Sequence, residues 1–327
     1  MTIQLTILGL GQIGTSLGLA LAEHKDKLFR LGHDANLATM REAEKLGALD
    51  KTAVRLQAAV ENADIVVLAL PVDEVRSTLE FIVQDLKEGA VVLDTSPVQV
   101  SALEWAKKLM PAERYYVTLH PSLNPVYLDE RQSDTASAKA DLFKNGVTVI
   151  SAPENTEGDA IKLAADLTKL IGATPYFADP YEADGLLAWV ELLPKLGAAA
   201  LVRAVQGQPG WREARKLTSN PYALGTSALL RLDESVELGQ AALLNRENAS
   251  RVLGEYIKEL EVIRGLLDKN DAEGLKKLLE KAREDRATWQ AQRTKADWEK
   301  IHTPEMPTTG DMLGRLIGLR PDRNKKK

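Results

Sequence analysis

Apolar and polar positions along the chain follow two different rhythms. In the first half, short apolar runs alternate with helical patterns. Residues 3–8 (IQLTIL) read as a strand closing on Gly9, and a helix follows from Ile13 to about Glu23. Residues 28–34 read as a second strand. The stretch from Ala35 is helical and stops on Gly47, a residue suited to a C-cap. The run 64–70 (DIVVLAL) is apolar almost throughout, as expected of a parallel strand covered on both faces. Pro71 stops it, and the next helix spans Glu74 to Leu86. Strand 90–94, a helix near 100–109, and strands 115–120 and 147–151 continue the alternation. Such alternation predicts an α/β fold with a doubly wound sheet of the Rossmann type.

Past Asp179 the period changes. No strand pattern is found from Pro180 to about Ile301, only helical periodicities. GLLAWVELLPKLGAAALVRAV is apolar on nearly every face, so the helix it forms has to be covered on all sides. Pro194 in its middle is expected to kink it. Further on, Val252, Ile257, Leu260, Ile263, Leu267, Leu275, Leu278 and Leu279 recur at helical spacing. The expected organisation is a dinucleotide-binding domain over 1–178, an all-helical domain over 179–302 and a loop-like tail over 303–327. The apolar central helix suggests a homodimer built through the helical domain, with packing inside one chain as the alternative.

Composition narrows the class. The 327 residues are 44% hydrophobic and 27% charged, with a net charge of -5, an ordinary soluble composition that argues against a nucleic-acid or membrane partner. The apolar run Leu186 to Val205 carries Glu191, Pro194, Lys195 and Arg203 and reads as a buried helix, not a membrane span. With no cysteine, thiolate catalysis, disulfides and Cys-based metal sites are excluded, and no other metal site is expected. That composition fits the cytoplasm. The N-terminus runs straight into a strand and reads as having no signal peptide.

Gly9-Leu10-Gly11-Gln12-Ile13-Gly14 matches G-x-G-x-x-G between a strand and a helix. Gly9 permits the tight turn, Gly11 lets the backbone approach a pyrophosphate at the helix N-terminus, and Gly14 allows close helix–strand packing. Asp34 lies twenty positions past Gly14, at the end of the second strand. There its carboxylate can accept hydrogen bonds from ribose hydroxyls and would repel a 2′-phosphate. The cofactor is therefore expected to be NAD in preference to NADP. Gln12, Ile13 and Pro71 complete the expected cofactor-binding set.

The histidines are His24, His33, His120 and His302. His24 ends the first helix, where a cation suits the dipole. His33 closes a strand and His302 opens the tail. His120 ends a sheet strand, where α/β proteins place ligands, and can serve as a general base for a hydroxyl that loses its proton during hydride transfer. A satisfied core histidine is the alternative reading.

Several segments together resemble the prephenate/arogenate dehydrogenase family over roughly residues 3–290. They are ILGLGQIGTSLGLAL, REAEKLGALD, ADIVVLALPV, the His-Pro at 120–121, ELLPKLGAAAL, GWREARKLTSNP and LLNRENASRVLGEYIKELEVIRGLL. The resemblance implies NAD-dependent oxidative decarboxylation of prephenate, or arogenate, in tyrosine synthesis. It places on His120 the histidine that hydrogen-bonds the ring hydroxyl and removes its proton. Hydride then leaves the same ring carbon, and carbon dioxide departs as the ring becomes aromatic. It places on Arg215 the arginine that binds a substrate carboxylate, for which the guanidinium fork is suited. An ordinary helix-surface charge is the alternative. Asn245 matches an asparagine before the family's long final helix, as a contact or an N-cap.

The chain departs from the family pattern at Asp94-Thr95-Ser96-Pro97-Val98-Gln99, where the family shows Asp-x-x-Ser-x-Lys. Ser96 stands one place early and Gln99 replaces the lysine. Ser96 is kept as a catalytic candidate that could reach His120 or the nicotinamide. Ser122-Leu123-Asn124-Pro125 replaces the small residue and Gly after His-Pro, and Glu182-Ala183-Asp184 lacks the family's histidine. No regulatory ACT domain of the kind some relatives carry is expected. Alternative readings are a related Rossmann dehydrogenase, of the β-hydroxyacid dehydrogenase or imine reductase type with Lys195 to be checked, and a non-catalytic NAD-binding dimer.

Overall fold

A computed structural model of the chain describes residues 2–130, 132, 134–230 and 235–296. The chain divides into two compact units, one running to Ala183 and the other starting at Asp184. The expected tail and His302 lie outside the described residues.

In the first unit, eight strands among the described residues form one sheet in the order β3-β2-β1-β4-β5-β6-β7-β8. The strands are β1 (Ile3–Leu8), β2 (Leu28–His33), β3 (Lys51–Thr52), β4 (Ile65–Leu68), β5 (Val91–Asp94), β6 (Tyr115–Pro121), β7 (Val147–Ser151) and β8 (Thr174–Phe177). All pairings are parallel except β6 with β7. The helices between them are α1 (Gln12–Ala20), α2 (Leu37–Lys45), α3 (Leu56–Val60), α4 (Val72–Ile82), α5 (Gln99–Leu109) and α6 (Gly158–Leu170). The sequence pattern did not anticipate β3, α3, α6 or β8.

The sheet is covered on both faces because alternate strand residues feed two separate cores. Ile65, Val67, Val91 and Leu93 pack with Leu17 of α1 and with Leu163 and Leu167 of α6. Val66, Leu68 and Val92 pack with Val75, Leu79 and Ile82 of α4 and Ala102 of α5. That explains the unbroken apolar runs of β4 and β5. Asn36 caps α2 by accepting the Ala38 N–H at 2.8 Å, and Gly47 ends the turn at φ +81°. Arg30, buried in β2, grips Asp50 at 2.7 Å and donates to the carbonyls of Gly18 and Gly47. Burial works to raise the Asp50 carboxyl, but the Arg30 hydrogen bonds and charge outweigh it and hold it below the ordinary value.

The chain leaves β1 for β2 and β3 on one side, then resumes at β4 on the other. The carboxyl ends of β1 and β4 therefore flank a topological switch point, where open α/β sheets bind ligands.

After α7 (Pro180–Leu187), the second unit continues with α8 (Leu193–Gln206), α9 (Trp211–Ala214), α10 (Asn220–Gly225), α11 (Ser235–Leu244), α12 (Arg246–Asp268) and α13 (Ala272–Lys295). The irregularity expected around Pro194 is a π-helical turn at Ala188–Leu192, just before the proline enters the first turn of α8. The chain alone does not supply the cover that this helix needs, which disfavours packing inside one chain. Pro180–Gln206 is long and apolar enough to cross a membrane on those measures alone, and only 22% of its most apolar window is buried in the chain. Leu186, Trp189, Val190 and Leu201 are exposed, because a single chain offers too few neighbours to surround a helix that is apolar on every face.

Candidate active site

The glycine turn forms as its spacing requires. Gly9 takes φ +88°, and a Cβ there would lie 2.2 Å from the Ala69 carbonyl oxygen at the end of β4. A Cβ on Gly14 would lie 1.9 Å from the Gly9 carbonyl oxygen. Gly11, at the N-cap of α1, behaves differently: a Cβ there would meet nothing within 4 Å. The open space lies beside the backbone at the helix N-terminus, where a pyrophosphate can approach.

Asp34 organises the neighbouring edge. Its Oδ2 accepts the Leu10 N–H at 2.8 Å and its Oδ1 the Asn36 N–H at 2.8 Å. Each carboxylate oxygen can accept a further hydrogen bond, so the group is aligned for a ribose diol. Of the other expected cofactor residues, Pro71 is exposed ahead of α4 and Ile13 packs on the core. The Gln12 side chain is buried, and its amide donates to the carbonyls of Gln132 and Ser137. Any cofactor contact from Gln12 would thus come from its backbone.

Along the sheet, His120 stands half-buried at the end of β6, with its Nδ1 2.9 Å from the Thr95 carbonyl oxygen. A carbonyl only accepts, so Nδ1 carries the proton and Nε2 keeps a lone pair in the neutral ring. Thr95 is itself fixed, since its N–H and its hydroxyl both donate to the Leu68 carbonyl at the end of β4.

Beneath this turn lies a buried polar knot. Asp94 accepts the Ser96 N–H at 2.9 Å, the Ser96 hydroxyl at 2.7 Å and the Tyr116 hydroxyl at 2.6 Å. Burial pushes the Asp94 carboxyl above its ordinary range, against the hydrogen bonds of Tyr116 and Ser96 and the charge of His120. Burial, with the Asp94 charge, raises the Tyr116 phenol well above its usual value. The structure therefore places the Ser96 hydroxyl on Asp94, while His120 takes its partner from the Thr95 backbone. Gln99, where the family shows lysine, is buried and donates its amide to the Ser96 carbonyl at 3.1 Å.

The other histidine of this edge, His33, points its Nδ1 at the Ala53 carbonyl at 2.9 Å. His24 lies in the short turn after α1. In the second unit, Arg215 is exposed at the C-terminal cap of α9, and Lys195 faces Glu191 at 3.9 Å. Asn245 occupies the N-cap of α12, yet its side chain caps no helix N–H. Instead it is buried, donates to the Asp184 carbonyl at 2.8 Å and accepts from Asn248 at 2.9 Å.

Tyr116 escaped the sequence reading because a tyrosine inside an apolar strand carries no distinguishing pattern. Gln132, Thr135, Ser137 and Lys139, which bond to the glycine turn and the first turns of α1, were missed because their stretch of sequence has no period.

A glycine turn at a sheet switch point, an acidic second-strand end and a tautomer-fixed histidine on the same edge define a dinucleotide-dependent dehydrogenase. Residues 17–176 match the model for the prephenate dehydrogenase nucleotide-binding domain, and 179–281 that for the prephenate dehydrogenase dimerization domain. The chain belongs to the prephenate/arogenate dehydrogenase family. The glycine turn precedes the matched segment, so its role rests on the geometry above. Prephenate dehydrogenase of Bacillus subtilis strain 168 is 24% identical over 282 residues, 82% of this chain and 71% of that protein. The crystal structure of Synechocystis arogenate dehydrogenase superposes with a TM-score of 0.69 at 22% identity, covering 88% of this chain and 100% of the other. That of the prephenate dehydrogenase from A. aeolicus, in complex with hydroxyphenyl propionate and NAD+, gives 0.76 at 20% identity, covering 88% and 98%. At these identities the structural matches speak for the fold.

Proposed function

We propose that this dehydrogenase oxidises and decarboxylates prephenate or arogenate, with NAD+ as the hydride acceptor, in tyrosine synthesis. The observation that carries the reading is the His120–Thr95 hydrogen bond, which leaves Nε2 as the basic atom on the ligand edge of the sheet. Gly11 leaves room for the pyrophosphate on a turn whose close packing Gly9 and Gly14 permit, and Asp34 receives the ribose hydroxyls. Bound NAD+ would supply the two-electron acceptor. His120 takes the proton of the ring hydroxyl as that carbon gives up its hydride. The C–C bond to the ring carboxylate then breaks, carbon dioxide leaves, and the electron pair completes the aromatic ring. The phenolate oxygen takes back the proton held on His120, so one NADH and one carbon dioxide form per substrate. Arg215 pairs a substrate carboxylate.

The same reading has the helical unit form a homodimer, a soluble assembly in the cytoplasm. The match to a dimerization domain supports it, as do the exposed Leu186, Trp189, Val190 and Leu201. Steady-state assays with prephenate and arogenate, each with NAD+ and NADP+, test the reading. A rise in KM for one ring substrate in Arg215→Gln, with KM for NAD+ unchanged, is expected. Equal kinetics in Arg215→Gln and wild type would remove Arg215 from the site.

A further inference from the structure

The carbonyl of Leu10, inside the glycine turn, accepts two buried threonine hydroxyls. Thr15 of α1 donates at 2.8 Å and Thr135 at 2.7 Å. Thr15 lies one turn along the same helix. Thr135 comes from the long connection between β6 and β7, which begins immediately after His120-Pro121. That connection is built onto the turn by several bonds. The Lys139 N–H donates to the Ser16 hydroxyl at 2.9 Å, and the Gln12 amide donates to the carbonyls of Gln132 and Ser137. Around Thr135 the strap forms a short helical turn capped by Asp134, whose carboxylate accepts the Ser137 N–H at 3.0 Å.

A trans peptide points its C=O and N–H in opposite directions. With the Leu10 carbonyl held inward by two hydroxyls, the Gly11 N–H on the same peptide faces the other way. Gly11 is also where an added Cβ would meet nothing within 4 Å. The next peptide back is fixed too, because the Leu10 N–H is held by Asp34.

We infer that Thr135 is a positioning residue for the dinucleotide: by gripping the Leu10 carbonyl, it aims the Gly11 N–H at the cofactor pyrophosphate. It acts through the backbone and touches no substrate. The strap that carries it begins directly after the strand that ends in His120-Pro121. This inference rests on the dinucleotide reading of the glycine turn.

Isothermal titration of NAD+ into the full-length protein tests it, with Thr135→Val and Thr135→Ser compared with wild type. Loss of one buried hydrogen bond that orients a ligand donor should weaken NAD+ binding by about tenfold in Thr135→Val. Thr135→Ser, which keeps the hydroxyl, should stay within about twofold of wild type. KM for NAD+ should rise in Thr135→Val while KM for the ring substrate stays unchanged, a split that a general loss of folding would not give. If Thr135→Val fails to fold, Thr135→Ala carries the same comparison. NAD+ affinity in the folded Val or Ala variant equal to wild type overturns the assignment, as does a Ser variant as weak as Val. A wild-type protein that binds neither NAD+ nor NADP+ overturns the dinucleotide reading itself.

Discussion

The Nδ1 atom of His120 lies 2.9 Å from the carbonyl oxygen of Thr95, and that carbonyl belongs to a residue tied twice to the end of β4. The imidazole is thereby held in one tautomer by backbone, with no carboxylate partner needed. His120→Asn removes the base and leaves the glycine turn untouched. Its kcat should fall about 100- to 10,000-fold while its Kd for NAD+, measured by titration, stays within about twofold of wild type. A kcat close to wild type would mean that another group takes the proton.

The buried knot beneath His120 gives a pH-dependent prediction. Tyr116→Phe deletes a donor to Asp94 and should cost about 1–3 kcal/mol of stability in urea unfolding near neutral pH. The Asp94 carboxyl is raised by burial, and Tyr116 opposes that rise. A carboxyl raised in the fold contributes stability below its unfolded pKa of about 4, which is lost as pH climbs through the folded value. Removing Tyr116 raises the folded value further and enlarges that loss. The difference between Tyr116→Phe and wild type should therefore be smaller at pH 4 than at pH 7. A difference that does not change with pH would mean that the folded Asp94 carboxyl does not change its charge between pH 4 and 7, against this account.

Much of this site was legible in the sequence, and the reason differs by residue. Gly9 and Gly14 could be placed because steric need ties residue type to position, since a Cβ at either would collide with backbone, and Asp34 because it stands at a fixed spacing past them at a strand end. His120 could be placed because strand ends are marked by the apolar run before them. Ser96 was harder, since the hydrogen bond that a serine chooses depends on which acceptor the fold leaves beside it. The structure gives it to Asp94, whose other partner Tyr116 sits on the adjacent strand. Gln12 fits the glycine pattern, yet its side chain serves the strap, a contact between residues more than a hundred positions apart. For the apolar central helix, composition shows that it needs cover, and its exposure in the single chain leaves that cover to a second copy, the first of the two alternatives the sequence offered.

Asp34 is predicted to set cofactor choice. Its two oxygens already hold the Leu10 and Asn36 amides, so an added 2′-phosphate would meet an oriented negative charge. Asp34→Asn should lower the ratio of kcat/KM for NAD+ over NADP+ by roughly tenfold or more, through weaker NAD+ binding and less repulsion of the phosphate. An unchanged ratio would place the discrimination elsewhere.

Val190 tests the dimer. It is 65% exposed on the π-helical turn, so a charge there costs the monomer little. Val190→Glu should shift sedimentation from dimer to monomer at micromolar concentration, because a buried unpaired carboxylate penalises only the assembled state. A wild-type monomer, or a Val190→Glu dimer of undiminished strength, would contradict burial of this face between two copies.

The most direct test of the whole account is the stoichiometry of the wild-type reaction. Purified protein is mixed with prephenate or arogenate and NAD+, and NADH and carbon dioxide are measured together. The account predicts turnover of at least one of the two ring substrates, with NADH and carbon dioxide appearing one to one. Folded protein that binds NAD+ and yields neither product from either compound would contradict it.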